Sequence, residues 1–161
     1  MDRLGKTLTN KKKYKTMKKL ILFLISMVSL VNANAFKFDG IDLNGSQQQV
    51  AREISVKGYV YDQATNCLKG NCHGMELYLS MDNDNVVDKS KIGRLIVDIP
   101  MTTESALEDA VCIFNVIYHR IASVSGKATY SVDDDGTIME LTKTSKGLQL
   151  TYVTPNYKAK K

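Results

Sequence analysis

From residue 75 to residue 81 every second side chain is apolar: Met75, Leu77, Leu79 and Met81 alternate with Glu76, Tyr78 and Ser80. Neighbouring strand side chains point to opposite faces, so this alternation predicts a strand with one face on a core. Gly93 to Ile99 repeats the signal through Leu95, Val97 and Ile99, and Pro100 ends it. Asp82 to Lys91 reads as a polar loop between the two. Elsewhere the period changes to that of a helix. Ser46 with Gln49 three positions on forms a capping box, in which the Ser46 side chain accepts from the Gln49 amide and the Gln49 side chain reaches back. Val50, Ala51 and Ile54 follow at helical spacing, and Gly58 after Lys57 supplies a left-handed stop. From about Thr103 to Ser123, Leu107, Ala110, Phe114, Ile117 and Ile121 recur at intervals of three and four and predict a longer second helix. Thr102 or Thr103 would cap it, with Glu104, Glu108 and Asp109 placed favourably against its dipole and Arg120 near its end. Beyond Gly126, Ala128 to Val132, Ile138 to Lys143 and Leu148 to Val153 are strand-like, joined by Asp134-Asp135-Gly136 and Lys146-Gly147.

The predicted order is helix, strands, helix, strands. Turns this short cannot carry parallel crossovers, so the expected class is α+β: one twisted antiparallel sheet with two helices on one face, arranged as tandem halves. No low-complexity linker divides residues 36–161, which are read as a single domain.

One apolar stretch has neither period. Leu20 to Val31 follows Met17-Lys18-Lys19 and precedes Asn32-Ala33-Asn34-Ala35, the basic, apolar and small-residue regions of a secretory signal peptide. The apolar run is shorter than the roughly 20 residues of a spanning helix, so cleavage after Ala35 is expected and no membrane anchor remains. Residues 1–35 are thus read as a leader whose start is Met17, and the product as periplasmic or released. This changes the charge picture. The 161 residues carry a formal net charge of +5, but eight of the 22 Lys and Arg and one of the 17 Asp and Glu lie in the leader. The remainder holds 14 basic against 16 acidic residues, a net of −2. A nucleic-acid partner would need clustered positive charge, and only Lys158, Lys160 and Lys161 form a short basic tail, so none is expected.

Candidate chemistry centres on Cys67-Leu68-Lys69-Gly70-Asn71-Cys72. Two cysteines flanking a four-residue turn could face each other across a hairpin, and in an oxidising compartment a Cys67–Cys72 disulfide is the expectation. His73 follows directly, and Cys67, Cys72 and His73 together are the only basis for an alternative reading as an extracytoplasmic enzyme or redox protein, including an off-spacing relative of the haem-attachment motif. Cys112, beside the Leu107 and Phe114 stripe of the second helix, is expected to be a buried thiol. With His73 and His119 the only histidines, a zinc hydrolase has too few familiar ligands, so no metal and no cofactor is expected. Asp82, Asp84 and Asp88 begin like a calcium loop, but Val87 stands where its glycine belongs and Gly93 where its glutamate belongs. Gly-x-Ser-x-Gly and complete phosphate-loop patterns are missing too.

The opening Phe36-Lys37-Phe38-Asp39-Gly40-Ile41-Asp42-Leu43-Asn44-Gly45-Ser46, a short helix and then Lys57-Gly58-Tyr59 resembles the start of small uncharacterised secreted bacterial proteins. Their tandem helix-plus-antiparallel-sheet halves are similar to the beta-lactamase inhibitor protein fold. The resemblance implies that fold and a scaffold presenting a sheet face to a protein partner, and it carries no site residue across. Alternation puts Tyr78 opposite the Leu77 and Leu79 face and Tyr59 with Tyr61 on one side, where tyrosines suit an interface. The expected function is therefore a secreted, non-enzymatic binding module contacting another protein through Tyr59, Tyr61, Tyr78 and the Asp82, Asp84 and Asp88 loop. A cell-envelope assembly factor is a further alternative.

Overall fold

The computed structural model describes residues 37–100, 104–132 and 136–158, together with Lys15, Lys18 to Leu20 and Leu22. The class is α+β with a large antiparallel sheet. A two-stranded hairpin, β1 (Lys37–Phe38) and β2 (Ile41–Asp42), leads into helix α1 (Gln47–Val56). Four strands follow: β3 (Val60–Asp62), β4 (Cys67–Cys72), β5 (Met75–Asp82) and β6 (Arg94–Pro100). Helix α2 (Ala106–Ile117) precedes β7 (His119–Val124), β8 (Lys127–Ser131), β9 (Ile138–Thr144) and β10 (Gly147–Val153). The eight longer-range strands lie side by side as β3-β4-β5-β6-β10-β9-β8-β7, so each group of four is a meander and the two meet along β6 and β10.

Register explains the core. Leu79, Val97, Leu150, Leu141 and Ala128 are successive cross-strand partners and are all buried, as are Leu95, Tyr152, Met139 and Tyr130 in the next inward row. Phe114 of α2 meets Tyr130 at 5.7 Å and Phe38 of β1 meets Tyr152 at 5.9 Å between ring centroids, so both elements cover this apolar face. Such tilted ring pairs add to the area they bury. Val50 and Ile54 of α1 belong to the same core. The alternate rows point the other way. Lys69, Tyr78, Asp98, Gln149 and Thr142 are successive partners on that outer face and none is buried.

Local chemistry sets the ends of α1 as expected: the Gln49 amide donates to Ser46 Oγ at 3.2 Å, and Gly58 holds φ +87°. The Gln49 side chain does not reach back, because its Nε2 donates to Glu53 Oε1 one turn on. Four expectations are corrected. The second helix ends at Ile117, and His119 to Val124 forms β7, because the Ser125-Gly126 turn folds the segment back to pair with β8. Thr102 and Thr103 lie outside the described residues, and Ser105 takes the N-cap position. Cys112 is exposed, since the buried stripe of α2 runs through Ala106, Ala110 and Phe114. Cys67 to Cys72 is no hairpin but the continuous strand β4. Its ends are about 16 Å apart at the rise of an extended chain, far beyond disulfide reach, and both thiols are free. The Asp134-Asp135 turn lies outside the described residues. No helix among the described residues is long and apolar enough to cross a membrane.

Candidate functional site

Two tight turns meet at one end of the apolar face. Cys72 and Met75 are cross-strand partners, leaving His73 and Gly74 as a two-residue hairpin loop with φ +50° and +79°. Both central residues of the favoured hairpin turn need positive φ, which is the demand Asn-Gly ordinarily meets and His-Gly meets here. The β1–β2 loop does the same with Asp39 at φ +49° and Gly40 at +79°. Asp39, Cys72 and His73 thereby offer a carboxylate oxygen, a sulfur and a ring nitrogen within 4.8 Å of one another. Cys72 is buried, Asp39 half-buried and His73 exposed, so the cluster opens to solvent on the histidine side. The Lys57 ammonium lies 3.8 Å from the Asp39 carboxylate. From the segment read as a leader, Lys19 Nζ donates to the Gly74 carbonyl at 3.0 Å, and Leu20 beside it is fully buried in the core.

Tyr59 packs nearby, against Gly70 of β4. It was expected on an exposed face; instead only 3% of it is accessible. The reason is Gly70: a Cβ there would fall inside the Tyr59 ring, so the absent side chain makes the slot that the ring occupies. The Tyr59 hydroxyl is buried with no hydrogen-bond partner among the described residues. Burial raises its pKa, and the charges of Cys72 and Asp39 raise it further. Burial likewise pushes the Cys72 thiol up to about 12, with the Asp39 carboxylate adding by charge and by accepting its hydrogen bond while Lys57 opposes. A thiol so held is no nucleophile at neutral pH, and no resolving cysteine is near, because Cys67 sits at the far end of β4 and on the opposite face. The spacing also removes a haem held through both cysteines.

The other predicted residues separate into three places. On the outer face, Tyr78 donates to Glu76 Oε1 at 2.6 Å, Lys69 pairs with Glu76 at 2.9 Å and its ammonium lies 5.5 Å from the Tyr78 ring centre. The Tyr78 hydrogen bond, then the Lys69 one, lowers the Glu76 pKa. Beside them an open cleft of about 660 Å³ is lined by Thr65, Cys67, Tyr78, Asp98 and Gln149 among others. Tyr61 does not join them: its partner Leu68 pairs with Leu79, so it lies on the opposite face, at the sheet edge, where it is 56% exposed and donates to Asn66 Oδ1 at 2.7 Å. In the β5–β6 loop the acids are committed locally. Asp82 accepts from the Asp84 amide and pairs with Arg94, whose guanidinium lies 4.5 Å over the Tyr157 ring. Asp88 accepts from the amide and hydroxyl of Ser90. They do not converge on a cation.

No protein-family model matches the chain, nor does any curated protein or solved structure. The geometry alone therefore carries the functional argument. It joins Cys72 and His73 with Asp39 and Tyr59, and leaves Cys67 out. Asp39 was missed in the sequence because it stands 33 positions before Cys72.

Proposed function

We propose that the protein is an exported, non-enzymatic binding module, built of tandem helix-plus-meander halves with both helices on one face, that presents its outer sheet face to a protein partner. One observation carries the reading: across the middle of the eight-stranded sheet, Lys69, Tyr78, Asp98 and Gln149 form a continuous row that stays accessible while the opposite face is buried. A row mixing an aromatic ring, both signs of charge and an amide suits a polar protein interface. The chain order in which each four-strand meander follows a helix supports the tandem halves and the inhibitor-like scaffold. The basic, apolar and small-residue pattern of residues 17–35 supports export.

Photo-crosslinking of the full chain in the producing cell tests this. A crosslinker placed at position 78 is expected to give a discrete heteromeric adduct, and Lys69→Glu to weaken it about tenfold, as loss of an interface anchor does. A crosslinker at position 116, on the exposed side of α2, is expected to give none. Equal adducts at both positions, or none at position 78, overturn the reading.

A further inference from the structure

We propose that Asp39, Cys72 and His73 form a binding site for a divalent first-row transition ion of the zinc class, backed on its buried side by the Tyr59 hydroxyl. The donor set selects the ion: thiolate and imidazole suit zinc and its neighbours, whereas calcium and magnesium take all-oxygen sets. Distances agree. Ligand atoms around tetrahedral zinc lie about 3.6 Å apart, given bonds of 2.0 to 2.3 Å, and the three donors already lie within 4.8 Å of one another. Small side-chain rotations close the gap. Two hairpin loops hold the donors, with Asp39 and His73 both in left-handed backbone conformations that side chains rarely adopt.

The second, independent observation is Tyr59. Among the described residues its hydroxyl is buried and unpartnered, and its ring packs on Gly70, two residues before Cys72 on the same face of β4. Buried polar groups without partners are rare and call for an explanation, of which an ion or its bound water is one. Three protein ligands leave a fourth position open toward solvent, on the side of the exposed His73. On binding, the Cys72 proton passes to solvent and the sulfur, the His73 nitrogen and an Asp39 oxygen donate to the ion. In the absence of an ion Lys57 balances Asp39, and being half-exposed it is free to swing away. The site lies on the face opposite the proposed partner surface, so either reading can fail alone.

Cobalt and zinc titrations of the purified, metal-free, reduced chain test the site. One equivalent of Co²⁺ is expected, with a near-ultraviolet thiolate-to-cobalt charge-transfer band that Zn²⁺ abolishes by displacement. His73→Ala, a change in an exposed turn, and Asp39→Asn are each expected to weaken binding at least about tenfold. Tyr59→Phe is expected to weaken it about tenfold as an outer-shell partner. Lys57→Gln removes a competing cation and is expected to tighten it several-fold, while His119→Ala, on β7 at the far sheet edge, changes nothing. Circular dichroism checks that each variant is folded. Absence of the thiolate band, or wild-type affinity in folded His73→Ala, overturns the proposal.

Discussion

Tyr59 sets stability against binding. An unsatisfied buried hydroxyl costs about 1 to 3 kcal/mol, so Tyr59→Phe, which removes it without changing the ring, is expected to stabilise the metal-free protein by about 1 kcal/mol. In a domain of this size that raises the melting temperature by about 3 to 5 °C, and thermal denaturation in the presence of chelator measures it. The same substitution loses metal affinity, so the two readouts move in opposite senses. Gly70→Ala tests the packing: its methyl group would collide with the Tyr59 ring, and overpacking of this kind costs about 1 to 3 kcal/mol. The thiols differ as sharply. Cys72 is buried with its pKa pushed up to about 12, whereas Cys112 is exposed. Iodoacetamide at pH 8 is therefore expected to modify Cys112 in the native protein and to reach Cys72 only after unfolding, which mass mapping of the labelled peptides decides.

At the scale of elements, legibility followed burial. The strands at 75–81 and 93–99 were readable because they lie mid-sheet, where alternate side chains meet a core and an open face. Position β7 is an edge strand with all six residues exposed, so it has no burial pattern to betray it. Ile117 and Ile121 then extend the helical stripe of Phe114 by chance of spacing. The difference has an energetic consequence. Were Ile121 on a buried helical face, truncation would cost about 2 kcal/mol or more; at 51% exposure, Ile121→Thr is expected to change stability by less than about 0.5 kcal/mol in denaturant titration. Strand β4 hid for another reason. Gly70 and Asn71 are poor strand formers, and they suggest a turn that the chain in fact makes three residues later, at His73-Gly74. The Asp39, Cys72 and His73 corner was half legible: Cys72 and His73 stand out as neighbours, but only packing of the β1–β2 hairpin against the core brings Asp39 to them.

For the whole molecule, the sheet joins its two meanders along β6 and β10, and polar side chains fasten the β5–β6 loop beside that junction. Asp82 of β5 holds Arg94 of β6, while Asn156, just past β10, receives the Asp88 amide and donates to the carbonyls of Asp88 and Lys91. The β5–β6 loop and the C-terminal segment are thus tied across 68 residues of chain. The Asp84 amide and then Arg94 lower the Asp82 pKa, and the Ser90 amide and hydroxyl lower that of Asp88. A carboxyl whose folded value lies below its unfolded one stabilises the fold above the unfolded value, near 4, and loses that contribution as pH falls through the folded value. Stability is therefore expected to hold through neutral pH and to decline from about pH 4 downward. Asp82→Asn should flatten that decline, because the substituted side chain has no proton to take up while the amide of residue 84 keeps an oxygen to bond. Urea titrations at a series of pH values compare the two slopes directly. An unchanged slope would assign the acid sensitivity to the remaining lowered carboxyls, Asp62, Glu76 and Asp88, and remove the Asp82–Arg94 pair as the tie between the loop and the sheet.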